Sequence, residues 1–243
     1  MKRPTFVDDE IYHAYNRGVE KRKIFLTEKD YLRFIHDMYE FNDERPAFNS
    51  GFHFGSLLKS DFNSIFRGSR KPLVEILCFC LMPNHYHFLI RQLIDGGITE
   101  FMRKIGAGYT NYFNTKYDRV GPLFQGKFKA VHVTKEAHLL YLPHYIHLNP
   151  LDLTMPEWRE QRIRSPEKAL KFLESYRWSS YLDHIGKKNY PSVTQRDFIL
   201  NNHYRSPTSI VDYRKEIRQW LEDIDLAQLQ EVAIEPTIEV GLR

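Results

Sequence analysis

Leu73-Val74-Glu75-Ile76-Leu77-Cys78-Phe79-Cys80-Leu81-Met82-Pro83-Asn84-His85-Tyr86-His87-Phe88-Leu89-Ile90-Arg91 decides how this chain folds. Leu73 to Met82 is an apolar run rich in strand-forming residues. Pro83-Asn84 is a turn, and His85 to Arg91 reads as a second strand, so the stretch is an antiparallel hairpin. Residues i and i+2 share a strand face, which places His85 and His87 on one side and Tyr86 on the other. Two imidazoles side by side can hold a divalent metal. The same pattern also describes two partly buried histidines satisfied by backbone carbonyls.

Working outward, Ile11 to Asn16 is a short β-rich run ended by Arg17-Gly18. Thr27 with Asp30 forms a capping box ahead of a helical repeat at Tyr31, Phe34, Ile35, Met38 and Tyr39. Residues 42–72 read as an insertion or long loop. Helical spacing returns from Ile98 to about Tyr117 and ends at Gly121-Pro122; Phe128 to Val133 is a strand. Lys135 to Leu148 is a helix in which Pro143 marks either a kink or the first turn. The order β-α-β-β-α-β-α begins as the split βαβ pattern. The expected fold is therefore α+β, a ferredoxin-like antiparallel sheet with helices on one face and the other face free to bind. Residues 1–150 make this domain. Residues 151–243 are a mainly helical C-terminal extension docked by Trp158, Trp178 and Tyr181, with fraying from Asp223.

On the helix before Asn149-Pro150, Tyr145 and Asn149 stand at i and i+4, on one face. A phenol becomes a useful nucleophile when a cation polarises a phosphodiester, and an amide oxygen suits Mg²⁺ or Mn²⁺. Tyr141 shares that face and is the rival nucleophile; a core tyrosine and a helix-capping Asn are the plain alternatives. Charge is localised: Phe101 to Lys135 holds seven basic residues against Asp118, whereas Lys215 to Arg243 holds three against seven acids. Arg103, Lys104, Lys116, Arg119, Lys127 and Lys129, interleaved with aromatics such as Tyr112, are the candidate contacts to single-stranded nucleic acid.

With these residues in view, the chain resembles the single-tyrosine HUH transposases, in particular the REP-associated tyrosine transposase branch. The motifs that carry the resemblance are Tyr12-His13-Ala14-Tyr15-Asn16-Arg17-Gly18-Val19, Leu81 to His87, Gly121-Pro122-Leu123-Phe124-Gln125-Gly126, Tyr145 to Pro150, and Arg177-Trp178-Ser179-Ser180-Tyr181. They span about residues 10–186 in order. The resemblance implies metal ligation by His85, His87 and Asn149, a Mg²⁺ or Mn²⁺ cofactor, and Tyr145 as the catalytic tyrosine; Tyr141 has no required counterpart. It implies cleavage and rejoining of single-stranded DNA, often beside a hairpin, through a 5′-phosphotyrosine and a free 3′-OH. The insertion at 42–72 and the tail after 186 depart from a minimal version.

Cys78 and Cys80 sit in an apolar run and form no disulfide framework, no stretch approaches a membrane span, and the N-terminus lacks an apolar signal region. The expectation is a cytoplasmic protein with no membrane partner, monomer or homodimer being left open. Two other readings stand beside the nuclease: a non-catalytic single-stranded nucleic-acid-binding module on the same fold, and a metal-dependent hydrolase using bound water.

Overall fold

Strands β1 (Ile11–Arg17), β2 (Val74–Met82), β3 (His85–Gln92) and β4 (Lys129–His132) form one sheet in the order β2-β3-β1-β4, with antiparallel neighbours throughout. This computed structural model describes residues 3–45, 70–160, 163–203 and 210–223. Most of the expected insertion, and the end of the chain after Asp223, lie outside the described residues. The hairpin forms as read, with Pro83-Asn84 turning between β2 and β3.

Helices α1 (Glu28–Glu40) and α2 (Gly97–Lys116) pack on one face of the sheet, over Tyr12, Ala14, Ile76, Phe79, Leu81, Tyr86, Phe88 and Ile90. The capping box is present: the Thr27 side chain receives the Asp30 backbone N–H, and the Asp30 carboxylate receives that of Thr27. The opposite face is not free, as the split βαβ pattern alone would leave it. Helix α3 (Glu136–Leu148) lies across it, packing Leu142 and Ile146 against Leu77, Cys78, Cys80, Met82 and Leu89. This is why β2 is apolar without alternation, since both faces are covered. A register shift between Ile76 and Cys78 lets Leu77 and Cys78 both serve the α3 side. Pro143 lies inside α3, so it is an interior proline and not a helix start.

Two of the quoted motifs hold the end of the sheet. Gly18 N–H donates to Asn84 O (2.8 Å) and Ile24 N–H to Pro83 O (2.8 Å), which clamps the hairpin turn. A Cβ on Gly18 would lie 2.2 Å from Arg22 O, so that close approach needs glycine. The Gly121–Gly126 turn joins the same end: Gln125 N–H donates to Arg17 O and Val19 N–H to Leu123 O, both at 2.9 Å.

Beyond α3 come two 3₁₀ turns, Asn149–Leu153 and Pro156–Glu160, then α4 (Pro166–Ser175), α5 (Tyr181–His184), α6 (Arg196–His203) and α7 (Ile210–Asp223). Trp158, Trp178 and Tyr181 are buried. The Arg177–Tyr181 motif closes the outer edge of β2: Leu81 N–H donates to Trp178 O (2.9 Å), Ser180 N–H to Phe79 O (3.0 Å), and Phe79 N–H to Ser180 Oγ (2.9 Å). Such cover removes an edge strand that could pair with another chain.

Candidate active site

The α3 side of the sheet carries His13 and Tyr15 from β1 and His85 and His87 from β3, because Tyr15 pairs with His87 and Arg17 with His85. The His85 and His87 rings are 4.9 Å apart between centroids and perpendicular. Tyr145 stands edge-on to this group, its ring 5.9 Å from His87 and 6.2 Å from His13. Asn149 is buried one turn later and donates through Nδ2 to Tyr145 O (2.8 Å). His85, His87, Tyr145 and Asn149 are thus brought to one place. Tyr141 stacks on Tyr145 at 6.0 Å and is wedged against Trp220 at 5.8 Å. Burial, reinforced by Tyr145, pushes its phenol up.

The histidines are held in a form suited to ligation. His85 Nδ1 meets Asn84 Oδ1 at 2.7 Å. A carboxamide oxygen only accepts, so Nδ1 carries the proton and Nε2 keeps its lone pair. That Nε2 is buried and faces the Asn149 side chain. Burial, then the nearby Arg159, pushes His85 down to about 3, and burial alone takes His13 to about 3. His87 is held well below the ordinary imidazole value by burial and by the neighbouring His85 and His13. Neutral imidazole is the ligating state. Among the described residues no three His, Cys, Asp or Glu side chains form a metal-holding group. Two imidazoles and a carboxamide oxygen are donors of a kind that a divalent cation accepts.

Three contributors were not singled out from the sequence. His13 Nε2 lies 3.0 Å from His87 Nδ1, and their rings stack at 5.2 Å. Its place two residues before Tyr15 fixed its face, but its partner depends on a register with β3 that no local pattern reveals. Asn84 reads as a turn residue and also orients His85. Arg159 arrives from the Pro156–Glu160 turn, which nothing in its own neighbourhood links to Tyr145.

The seven proposed DNA contacts separate. Lys127 and Lys129 are exposed at the β4 end, and Lys129 lies 5.9 Å over the Tyr15 ring, close to the histidines. Arg119 donates to Asn114 Oδ1 (2.8 Å) and Arg103 is paired with Glu100 at 2.7 Å. Lys104, Tyr112 and Lys116 are on the far side of the sheet and tied inward. Lys104 Nζ donates to Asp43 O (2.6 Å), while Tyr112 Oη (3.0 Å) and Lys116 Nζ (2.6 Å) both donate to Asp30. Those three help to hold α2 in place.

Residues 53–149 match the family model described as Transposase IS200 like. This segment is similar to the IS200-like transposases, as the motifs imply. No curated protein matches the chain by sequence. Among solved structures, a REP-associated tyrosine transposase bound to a REP hairpin aligns with TM-score 0.48 and 14% identity, over 80% of this chain and 93% of that one. A tRNA(His) guanylyltransferase from Saccharomyces cerevisiae aligns with TM-score 0.35 and 10% identity, over 84% and 82% of the two chains. No helix among the described residues is long and apolar enough to cross a membrane.

Proposed function

We propose that the protein is a metal-dependent single-stranded DNA transesterase of the transposase type, with Tyr145 as nucleophile. The observation that carries this is the convergence of His85, His87, Asn149 and Tyr145 on one sheet face. His85, His87 and Asn149 hold Mg²⁺ or Mn²⁺, which when bound supplies Lewis-acid polarisation of the scissile phosphate. Tyr145 Oη forms a bond to phosphorus as the P–O3′ bond breaks. The phenol proton is lost and the departing oxygen gains one, leaving a 5′-phosphotyrosine and a free 3′-OH. The phosphodiester charge is unchanged, so the 3′-OH can reverse the step without an external energy source.

The nuclease domain is residues 1–150 and the C-terminal extension residues 151–243; among its described residues, Trp178 and Ser180 close β2, while Tyr213 and Trp220 cover α3. The partner is single-stranded DNA bearing a hairpin, a choice that follows from the motif resemblance and from the exposed Lys127 and Lys129 beside the site. The test is a denaturing gel of wild type and Tyr145→Phe with labelled hairpin-bearing single strands, drawn from repeats near the gene, in Mg²⁺ or Mn²⁺. A DNA-linked protein band that vanishes in the variant is expected. Cleavage by both proteins without such a band would replace tyrosine by bound water, and binding without cleavage by wild type would reduce the protein to a binding module.

A further inference from the structure

We propose that Arg159 is a catalytic residue that binds the non-bridging oxygens of the scissile phosphate, so that the C-terminal extension supplies part of the active site. This rests on the reading of Tyr145 as nucleophile. Arg159 sits in the Pro156–Glu160 turn, outside the sheet and its helices, yet its guanidinium lies 5.5 Å over the Tyr145 ring and reaches the phenol. It also donates through Nη2 to Asn149 Oδ1 at 3.2 Å.

The cation is fixed before any substrate arrives. Asp152 receives Nε (2.8 Å) and Nη2 (2.6 Å) in a two-pronged pair, and Asp152 is itself held by Trp158 Nε1 (2.7 Å). The guanidinium lies 4.7 Å over the Trp158 ring. These bonds occupy Nε and Nη2. The guanidinium also meets the phenol, and the side chain keeps 22% of its surface accessible to an incoming anion. An arginine serving only to neutralise Asp152 has no need to stand over the nucleophile and beside a ligand amide.

As the Tyr145 O–P bond forms and the P–O3′ bond breaks, the equatorial oxygens carry more negative charge than in either diester. Donors already aimed at that charge need no reorganisation when it develops. The planar fork of arginine suits two phosphate oxygens, whereas a lysine offers one point charge.

The test uses the full chain and hairpin-bearing oligonucleotides that wild type cleaves, in Mn²⁺, under single-turnover conditions. Arg159→Lys keeps a charge. The double variant Asp152→Ala/Arg159→Ala removes the pair together and so avoids stranding a buried carboxylate. Both are expected to lower the rate of adduct formation by about 100-fold, while oligonucleotide affinity falls less than about tenfold. A methylphosphonate at the scissile position removes one charged oxygen. On that substrate the gap between wild type and variants should shrink to about tenfold or less. An undiminished gap, unchanged rates, or rates that follow the folded fraction by circular dichroism would make Arg159 a structural partner of Asp152 and overturn the proposal. If wild type forms no adduct, the tyrosine mechanism itself falls and this role with it; an adduct indifferent to Arg159 sinks this role alone.

Discussion

The two faces of the sheet each gather tyrosines, cations and a polar centre, and they end in opposite states. On the α1–α2 side, Asp30 is inaccessible to solvent and takes hydrogen bonds from Leu26 and Thr27 N–H, Tyr112, Lys116 and Tyr117. Burial pushes its carboxyl up, but Lys116, Tyr117 and the two amides outweigh burial and leave it below the ordinary carboxylate value. On the α3 side, His13, His85 and His87 are buried and held neutral, and Arg159 and Tyr145 crowd the same space. A cluster whose donors and acceptors all match stabilises the fold. One that gathers neutral imidazoles beside a phenol and an arginine is equipped to ligate and to react. The first face is architecture, and the proposed chemistry lies on the second.

The sharpest way to break that assignment is to remove one hydroxyl from each face. Tyr145→Phe should eliminate the covalent protein–DNA band while leaving the thermal midpoint nearly unchanged. Tyr112→Phe should leave the band intact and cost about 1 kcal/mol in urea unfolding, the net worth of one hydrogen bond. If the two exchanged phenotypes, the faces would be wrongly assigned.

Asp30→Ala should lower stability by about 3 kcal/mol, because it strands Lys116 and opens the α1 cap. Metal affinity should not move. The sign of the pH dependence follows from the depressed carboxyl: its contribution is complete above the unfolded carboxylate value and is lost as pH falls through the folded one. Urea midpoints measured toward acid pH should therefore converge for wild type and Asp30→Ala. Parallel curves would remove Asp30 from the account of acid stability.

On the other face, His13→Phe tests the network behind the ligands. For His87 to offer Nε2 to a cation, its Nδ1 must carry the proton and donate to His13 Nε2, 3.0 Å away. Groups that orient a ligating imidazole in this way are worth about 10- to 100-fold in metal affinity. Mn²⁺ titration of the protein without DNA, read by calorimetry, should show a loss in that range. Unchanged affinity would mean that His13 only fills space.

How far these assignments could be read from the sequence depends on distance along the chain. The hairpin, the Thr27–Asp30 cap and the shared face of Tyr145 and Asn149 are local, set by side-chain period and backbone chemistry, and each is present in the structure. The cover on the second face could be anticipated only weakly, from the unalternating apolar residues of β2. What could not be read is pairing at a distance: His13 with His87 is 74 residues apart, and Lys116 with Asp30 is 86. Charge counting grouped Lys116 with Lys127 and Lys129 because they are neighbours in sequence, although the sheet lies between them in space. Arg159 stands only 14 positions after Tyr145, yet two successive 3₁₀ turns bring it back, and such turns have no apolar period to read.

That grouping of lysines gives the smallest test and the finest one. Each phosphate neutralised on a single strand contributes about 0.7 to the slope of log affinity against log salt. Lys129 is exposed on the site side, above Tyr15, so Lys129→Ala should reduce the slope by about 0.7 and weaken binding a few-fold at moderate salt. Lys116→Ala removes the same formal charge from the same basic segment. Its ammonium already lies 2.6 Å from the Asp30 carboxylate, so the slope should stay fixed while stability falls. Fluorescence anisotropy with a labelled hairpin-bearing oligonucleotide across a salt series separates the two. Equal slope changes would mean that the strand also runs over α2, and that the sequence-level grouping described the DNA path better than the sheet's two faces do.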